Sequence, residues 1–302
     1  MEKIIPSDYH GLRIDKALAL LFPEYSRAQL TTLLKDQKIT INGAFLQPKD
    51  KIYGGELIQY EQTAFQRATS TLTPEAIPLD IIYEDDDCLV VNKPAGLVVH
   101  PGAGNPTGTL VQALLHHDQT LDTLPRAGIV HRLDKETTGL LLVAKNEQAY
   151  TALTRQMQAR EIERRYLALV FGTVISGGHL QTGYGRDPKN RLKMAVGNYE
   201  RQAITTYTVK QRFEKATLLD VKLETGRTHQ IRVHMAHINH PILGDTLYGG
   251  RVRALSATLG FTRQALHAYQ LSFAHPKTCE WMSLSAPLPA DFIALIEKLP
   301  HE

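Results

Sequence analysis

The sequence predicts an α+β protein with two domains, the larger of which contains a mixed, mainly antiparallel sheet with flanking helices. From residue 79 onward, short runs rich in β-branched and aromatic residues outnumber the segments with helical spacing. The helical segments do not alternate regularly with the strands, which argues against the parallel sheet of a βαβ protein. A polar stretch, residues 62–78, is typical of a linker. We therefore expect a small α+β domain at 1–61, a linker at 62–78 and a larger domain at 79–302.

The first domain is predicted to contain two short helices followed by a hairpin. Apolar residues at helical spacing mark the segments RIDKALALLF and RAQLTTLLKDQ, and KITINGAFL alternates and then turns at Asn42-Gly43. Residues 25–51 carry five Lys or Arg side chains against two Asp, among them Arg27, Lys35 and Lys38. Such a cluster either tracks a phosphate backbone or forms a solvated face, and charge alone does not separate the two.

The larger domain is predicted to contain six strands and four helices. The strands are LDIIYEDD, CLVVNKP, TGLLLVAK, RRYLALVFG, ITTYTVKQRF and TLLDVKLETG. The helices are TLVQALLHH, NEQAYTALTRQMQAR, RTHQIRVHMAHI and ADFIALIEKL. These elements are sufficient for one large sheet covered by helices.

Composition limits the class of protein. Hydrophobic residues make up 43% and charged residues 22% of the 302 residues, as in ordinary globular proteins. No apolar run is long enough to span a bilayer, and the first residues lack the features of a signal peptide. Cys88 and Cys279 form neither a disulfide framework nor a zinc ligand set. We expect a cytoplasmic protein that is a monomer and has no membrane segment.

The segment GIVHRLDKETTGLLLVAKN, residues 128–146, places charged side chains between two apolar runs. Because unpaired charge is costly in a core, this turn is either solvated or part of a site. Arg132 and Asp134 are two positions apart, so both side chains can point into one cleft if the turn is extended. Spacing alone does not decide between these two interpretations.

Three observations restrict the chemistry of such a site. Glycoside hydrolysis uses two carboxylates, and Glu136 is the only nearby candidate to join Asp134. The segment THQIRVHMAHINHP contains four histidines without a metal-ligand spacing, so we expect no metal site. Arg227 and Arg232 fall in the same predicted helix, and an arginine can keep a carboxylate ionised through a bidentate pair. Tyr166 could hold a planar substrate, although a core tyrosine would give the same pattern.

The segment AGIVHRLDKETTGLLLVAKN closely resembles the central motif of the RluA-type pseudouridine synthases. The surrounding motifs follow in the family's order, with PLDIIYEDDDCLVVNKPAGLVVHPGAGNPTGTL upstream and RRYLALVFG and LETGRTHQIRVHMAHINHPILGDTLYGG downstream. The resemblance covers residues 77–290 and implies the pseudouridine synthase fold. The first domain resembles the small RNA-binding domain, first seen in a ribosomal small-subunit protein, that many members carry. This second resemblance implies RNA contacts for Arg27, Lys35 and Lys38.

The resemblance implies an isomerase that acts on uridine within RNA and uses no metal or organic cofactor. Such enzymes break the bond from ribose to uracil N1, turn the base and rejoin it through C5, which gives pseudouridine. This reaction needs no second carboxylate to activate water. The motifs HPGAGNP and RVHMAHINHP are most similar to members that act on large-subunit ribosomal RNA. We therefore expect specific uridines of 23S ribosomal RNA, in the stem-loop at the subunit bridge near the decoding site.

The resemblance also assigns roles to single residues. It makes Asp134 the catalytic aspartate, Tyr166 the tyrosine beside the base and Arg232 the arginine paired with the aspartate. Arg132 matches the residue that fills the space left by the flipped uridine, and flipping is required because the reacting atoms are inaccessible in a stacked helix. The other substrate-binding positions implied are His131, Leu133 and Arg227. Whether Asp134 attacks the sugar or removes a sugar proton stays open.

Two other functions remain possible on the same residues. A non-catalytic RNA-binding or ribosome-assembly protein could use the same fold, and it would tolerate replacement of Asp134. A nucleosidase or glycosidase would use the same carboxylate but release free uracil. The presence of Asp134, Tyr166, Arg232 and Arg132 together favours the synthase.

Overall fold

The computed structural model describes residues 1–22, 25, 27–61, 72–102 and 104–300. The chain divides into two compact units, Met1–Leu72 and Thr73–Glu302. Of the predicted linker at 62–78, residues 62–71 lie outside the described residues, and residues 72–78 contain neither helix nor strand. None of the described helices is both long and apolar enough to cross a bilayer.

The first unit contains two helices and a three-stranded antiparallel sheet. Its core buries apolar side chains from both helices and the sheet, including Leu18, Leu33 and Ile58. The strand order is β1-β3-β2. The elements are β1 (Glu2–Ile4), α1 (Ile14–Leu21), α2 (Arg27–Lys35), β2 (Ile39–Ile41) and β3 (Leu57–Tyr60).

The hairpin predicted over KITINGAFL is only partly present. Asn42 and Gly43 form the turn, with φ values of 50° and 78°, but a single bridge joins Ile41 to Ala44. Strand β2 pairs instead with β3, where Ile41 lies opposite Ile58. The prediction of a local partner was wrong: β2 takes its partner from further along the chain, where Ile58 is fully buried.

The second unit contains one large sheet, which confirms the predicted fold class. The strand order is β4-β5-β6-β12-β7-β11-β10-β8-β9, and β13 pairs with β12. All neighbours are antiparallel except β6 and β12. The strands are β4 (Ile81–Glu84), β5 (Cys88–Lys93), β6 (Thr138–Ala144), β7 (Glu163–Phe171), β8 (Gly178–Arg186), β9 (Met194–Val196), β10 (Gln202–Phe213), β11 (Ala216–Leu223), β12 (Leu266–Ala274) and β13 (Trp281–Ser285). The helices are α3 (Leu110–His117), α4 (Glu147–Ala159), α5 (Gln230–His237), α6 (Arg253–Thr258) and α7 (Ala290–Glu297).

The parallel pair at the centre of the sheet positions two predicted site segments. Ala268 on β12 lies opposite Gly139 on one side and Tyr166 on the other. Gly139 has φ of 111°, and a Cβ there would lie 2.2 Å from the Ala268 carbonyl oxygen, so this close approach requires glycine. The start of β6, which follows Asp134, is therefore separated from Tyr166 by one strand.

Helix α5 begins later than predicted. His229 has φ of 59° and precedes the first helical residue, Gln230. The Gln230 side chain accepts the main-chain N–H of Arg227 at 3.0 Å and thereby closes the preceding turn. Arg227 and Arg232 were expected on one helix, but the left-handed residue separates them, and only Arg232 is helical.

Candidate active site

Asp134 lies on the loop that leads into β6, and main-chain contacts hold this loop in place. Lys93, buried at the end of β5, donates from Nζ to the carbonyl of Lys135 at 2.9 Å. The same Nζ donates to the carbonyls of Pro94 and Leu97 at 2.7 and 3.0 Å. Burial lowers the pKa of Lys93 to about 7, while the three carbonyls match the three N–H donors of the charged ammonium. This contact fixes the residue that follows Asp134.

The far end of the loop is attached to the segment that precedes β12. Arg263 donates from Nη1 to the Glu136 carbonyl at 3.2 Å, and its Nε and Nη2 donate to Asp291 at 2.7 and 2.8 Å. Gln264 donates from Nε2 to the Thr137 hydroxyl at 3.1 Å. The loop is therefore held at successive residues, which limits the positions available to the side chain it presents.

Arg232 on α5 lies between two carboxylates. Its Nη1 donates to Asp134 Oδ2 at 3.0 Å, and its Nε and Nη2 donate to Asp245 Oδ2 and Oδ1 at 2.7 and 3.0 Å. The expected bidentate pair of Arg232 with Asp134 was wrong, because Asp245 accepts both parallel bonds of the fork. Asp134 Oδ1 has no hydrogen-bond partner among the described residues. One oxygen of Asp134 is thus held and the other is open.

Asp245 is a completely buried anion. Its Oδ1 also accepts the main-chain N–H groups of Leu247 and Tyr248 at 2.8 and 2.9 Å. Burial alone would raise the pKa of Asp245, but the bonds from Arg232 and from these N–H groups bring it below its usual value. Burial also opposes the charged form of Arg232, and the two carboxylates more than offset this and raise its pKa. Two carboxylates and one guanidinium leave this cluster with a net negative charge.

Tyr248 restrains Arg232 from the side. The guanidinium carbon lies 5.1 Å from the centroid of the Tyr248 ring, within the range of a cation–π contact. The Tyr248 hydroxyl accepts the main-chain N–H of Met194 at 2.8 Å and lies 2.9 Å from Nδ1 of His229. Strand β9, the turn before α5 and the Arg232 side chain are therefore joined through one tyrosine.

Tyr166 on β7 is almost fully buried, with 4% of its surface exposed. Burial raises the pKa of Tyr166, the charge of Arg164 acts in the opposite direction, and the charge of Asp134 raises it further. Within the described chain its hydroxyl forms no hydrogen bond. A neutral phenol with an unused hydroxyl thus lies within electrostatic reach of the Asp134 carboxylate.

Comparisons with known proteins identify the family. Residues 87–237 match the model of a family described as RNA pseudouridylate synthase. The chain is 48% identical, over 99% of its length and 92% of the relative's, to ribosomal large subunit pseudouridine synthase D of Xylella fastidiosa. It is 49% identical to the protein of the same name from Xanthomonas campestris, over 100% of this chain and 93% of that protein. The chain belongs to the RNA pseudouridylate synthase family.

A solved structure supports this assignment. Human RNA Pseudouridylate Synthase Domain Containing 1 is similar with a TM-score of 0.58 and 27% identity, over 71% of this chain and 85% of that chain. The family predicted from the motifs is confirmed, and so is the enzyme class, an RNA pseudouridine synthase that isomerises uridine in RNA.

His131, Arg132 and Leu133, which directly precede Asp134, differ in burial and in hydrogen bonding. His131 Nε2 accepts the main-chain N–H of Leu142 at 3.0 Å, and its buried Nδ1 has no partner. Burial, together with the charge of Arg164, lowers the pKa of His131 to about 3, so its ring is neutral. Leu133 is buried. Arg132 is exposed, and its side chain forms no hydrogen bond or ion pair with any described residue.

Arg227 and His234 of the histidine-rich segment have partners other than Asp134. Arg227 is exposed and donates from Nε to the Gln202 carbonyl at 3.2 Å, so it does not replace Arg232 as the partner of Asp134. His234 is buried between the hydroxyls of Thr182 and Thr205, at 2.9 and 2.8 Å. These contacts are those of polar packing rather than of a ligand set.

One other cluster has the donor types of a metal site. Ligand atoms of Asp85, Cys88 and His275 lie within 4.8 Å of one another. Asp85 already accepts bonds from the Tyr83 hydroxyl and from His275 Nε2, both at 2.7 Å. Burial and the nearby carboxylate raise the pKa of Cys88 to about 12. Asp85 and His275 of this donor set are already joined in a hydrogen-bond network.

The basic residues predicted to contact RNA from the first unit fall into two groups. Arg27 donates to Asp15 Oδ2 at 2.8 Å, so its charge is paired with a carboxylate of the same unit. Lys35 and Lys38 are exposed, and neither side chain has a partner in the described part of the unit. Two of the three side chains are therefore available to an anion.

Three buried charged residues around the candidate site, Asp245, Lys93 and Arg164, were missed by sequence reasoning. Each is buried by 95% or more, at 1%, 1% and 5% exposure. The sequence could have indicated them only by position, because each lies next to, or inside, one of the family motifs. No spacing rule connects any of them to Asp134. Only the folded chain shows which partners they have.

Proposed function

We propose that this synthase isomerises specific uridines of 23S ribosomal RNA and that Asp134 is its catalytic carboxylate. The observation that carries the proposal is the position of Arg232, which holds Asp134 Oδ2 and leaves Oδ1 open near the buried Tyr166. Relatives that are 48 and 49% identical over nearly the whole chain bear the name ribosomal large subunit pseudouridine synthase D. Within this RNA we propose the stem-loop at the subunit bridge near the decoding site, on the resemblance of HPGAGNP and RVHMAHINHP.

The geometry supports a defined division of labour. The target uridine leaves the stack, and the unpaired, exposed Arg132 fills the space that it vacates. The base lies against Tyr166, and the ribose C1′ side faces Asp134 Oδ1. Arg232 fixes the orientation of Asp134 while the bond from C1′ to N1 breaks and the bond from C1′ to C5 forms. Asp134 acts as nucleophile or base in this step, and Tyr166 assists removal of the C5 proton.

Two basic surfaces are proposed to hold the RNA. One consists of Lys35 and Lys38 in the first unit. The other is the segment at 186–193, between β8 and β9, in which Lys189 and Arg191 are exposed. This segment leads into Met194, whose N–H is bound by Tyr248, so it lies close to the cluster that holds Asp134. Phosphate contacts at these places would supply affinity and register rather than chemistry.

The test is conversion of a 23S ribosomal RNA fragment by the purified wild type and by Asp134→Asn. The amide keeps the size of the side chain but can act neither as nucleophile nor as base. We expect pseudouridine from the wild type, no measurable conversion by the variant, and RNA affinities within about twofold, because the change removes no phosphate contact. Release of free uracil by the wild type would indicate a nucleosidase. Full activity of Asp134→Asn would refute the assignment of Asp134 as the catalytic carboxylate. No conversion by either protein, together with normal binding, would favour the non-catalytic assembly protein.

A further inference from the structure

Two adjacent arginines on β7 have opposite electrostatic environments. Arg165 donates from Nε and Nη2 to Asp220 at 3.1 and 3.0 Å, and about a third of its side chain is exposed. Arg164 is 5% exposed, and its buried Nε has no hydrogen-bond partner. Among the described residues, the Arg164 side chain forms no hydrogen bond or ion pair at all. The guanidinium of Arg164 is thus buried without an anion from the part of the chain that the structure describes.

Arg164 lies on the side of the strand that carries the candidate active site. Residues two apart on a strand share a face, so Arg164 and Tyr166 point the same way while Arg165 points to the other side. A Cβ at Gly226 would lie 2.6 Å from Nη1 of Arg164, so the guanidinium lies against the turn that leads into α5. Its charge lowers the pKa of His131 and opposes the rise in the pKa of Tyr166, which places it near both rings.

A buried and unpaired guanidinium is costly, and it stays charged because arginine does not lose its proton in proteins. Among the described residues, the two buried side-chain atoms without a partner are Nε of Arg164 and Nδ1 of His131. Orphaned polar groups of this kind call for a partner that arrives later. Since the site accepts RNA, that partner is an anionic group of the substrate.

Two groups of the RNA could supply negative charge, namely a phosphodiester and the uracil base. The phosphodiester stays on the outside of a flipped nucleotide, where exposed cations such as Lys189 and Arg191 are available to it. The base enters the pocket and lies beside Tyr166, on the strand face of Arg164. Uracil is neutral until its bond to ribose breaks, and the bond electrons then leave with the base onto N1 and the carbonyl oxygens. Burial beside Tyr166 therefore favours the base.

We propose that Arg164 is a second catalytic residue, which binds a carbonyl oxygen of the detached uracil and stabilises its negative charge. This proposal rests on the proposed function and deepens it. As the bond from C1′ to N1 breaks, both bond electrons pass to the base, and Arg164 donates N–H groups to the oxygen on which the charge appears. The bond from C1′ to C5 then forms, the C5 proton is lost and N1 gains a proton, so that atoms and charges balance. A donor of this kind acts on the transition state more than on bound uridine.

The experiment compares Arg164→Met with the control Arg165→Met in the full-length enzyme under single-turnover conditions with saturating RNA. We expect Arg164→Met to lower the rate by about 100-fold, the usual effect of losing one such donor. Its RNA affinity and the salt dependence of that affinity should not change. Its melting temperature should be equal or higher, because methionine fills the volume without a buried charge. Arg165→Met should keep its rate within about threefold, since its guanidinium lies on the opposite face of the strand.

A second substrate distinguishes the base from the phosphate. RNA with 5-fluorouridine at the target releases a less basic anion, so the defect of Arg164→Met in consumption of the parent nucleoside should be smaller than with uridine. An equal defect on both substrates, or weaker binding with a salt slope reduced by about one unit, would assign Arg164 to a phosphate and overturn the proposal.

Two further results would also decide the question. Loss of folding in both Arg164→Met and Arg164→Gln would show a structural role and refute the proposal. Failure of the wild type to form pseudouridine would reject the proposed function itself, whereas an active wild type with a fully active Arg164→Met would reject only the role of Arg164.

Discussion

Replacement of Asp245 by asparagine tests whether the buried carboxylate positions the catalytic one. Asp245 accepts four hydrogen bonds, two from Arg232 and two from main-chain N–H groups. An asparagine oxygen at the Oδ1 position can still accept three of them. The amide NH2 would then face Arg232 Nε at 2.7 Å, donor against donor. Asp245→Asn therefore removes one charge-assisted bond and leaves Arg232 with Asp134 as its only anion.

The expected magnitudes follow from this geometry. Loss of one hydrogen bond to a charged group lowers the free energy of unfolding by about 1.5–3 kcal/mol. The repulsion between the amide NH2 and Nε shifts the guanidinium of Arg232 toward Asp134, where it covers the open Oδ1 or displaces the carboxylate. A displacement of about 1 Å at the reacting group costs about 100-fold in rate. We expect that loss in the single-turnover rate, and RNA affinity within about twofold of wild type, because the Asp245 side chain is not exposed.

The control is Asp220→Asn, which alters the equivalent fork of Arg165 on the other face of β7. It should lower the melting temperature but keep the rate within about threefold, because that fork does not contact Asp134. Rates are measured with saturating enzyme below the melting temperature of every variant. A rate for Asp245→Asn within threefold of wild type would refute the idea that the Asp245 fork keeps Asp134 in place.

Three further predictions follow from the same contacts. Arg232→Lys should lower the single-turnover rate by at least about 100-fold, because one ammonium cannot bridge Asp245 and Asp134 as the planar fork does; near-normal turnover would contradict this. Lys35→Gln with Lys38→Gln should weaken RNA binding and reduce its salt slope by about two units without changing the saturating rate, and an unchanged slope would remove the first unit from the interface. His131 is neutral when folded, with its pKa lowered to about 3 by burial and Arg164, whereas the unfolded chain binds a proton below about pH 6.5. Stability should therefore fall as pH drops from about 6.5 to 3, by up to about 1.4 kcal/mol per unit, and His131→Gln should flatten this part of a denaturation series.

The sequence was sufficient for elements whose signal is local. All six strands and four helices predicted in the second unit are present, because each has its own apolar run or periodicity. Strands β8, β9, β12 and β13 were not predicted. In β8, GHLQTGYGR, three glycines and few apolar residues give little strand propensity. It forms because β10 and β9 pair with it on either side. Strand β12 pairs in parallel with β6 across more than a hundred residues, which no local pattern can indicate.

The contact of Arg232 with Asp134 was predicted from the family motifs and is present. The roles of Asp134, Arg132 and Tyr166 were predicted from the same motifs and stay predictions. The allocation of hydrogen bonds was not predictable, because it depends on which of two carboxylates meets the fork of one arginine. The turn of Asp245, Leu247 and Tyr248 decides this by presenting N–H groups that orient Asp245 toward Arg232. Similarly, the sequence does not show that Arg165 forms an ion pair and Arg164 does not. The two side chains differ because they point to opposite faces of the strand.

The charges of the site are consistent with a reaction that separates charge within a neutral base and sugar. Asp134, Asp245 and Arg232 together carry one negative charge, and Arg164 carries one positive charge without a counterion among the described residues. Tyr166 lies within electrostatic reach of both Asp134 and Arg164. When the bond to uracil breaks under the proposed mechanism, the sugar becomes electron-poor on the side of Asp134 and the base becomes electron-rich on the side of Arg164. Fixed charges that already match this distribution need no reorganisation during the reaction. Unpaired Arg164 lowers the stability of the folded protein, and under this mechanism it is retained because it stabilises the negatively charged uracil.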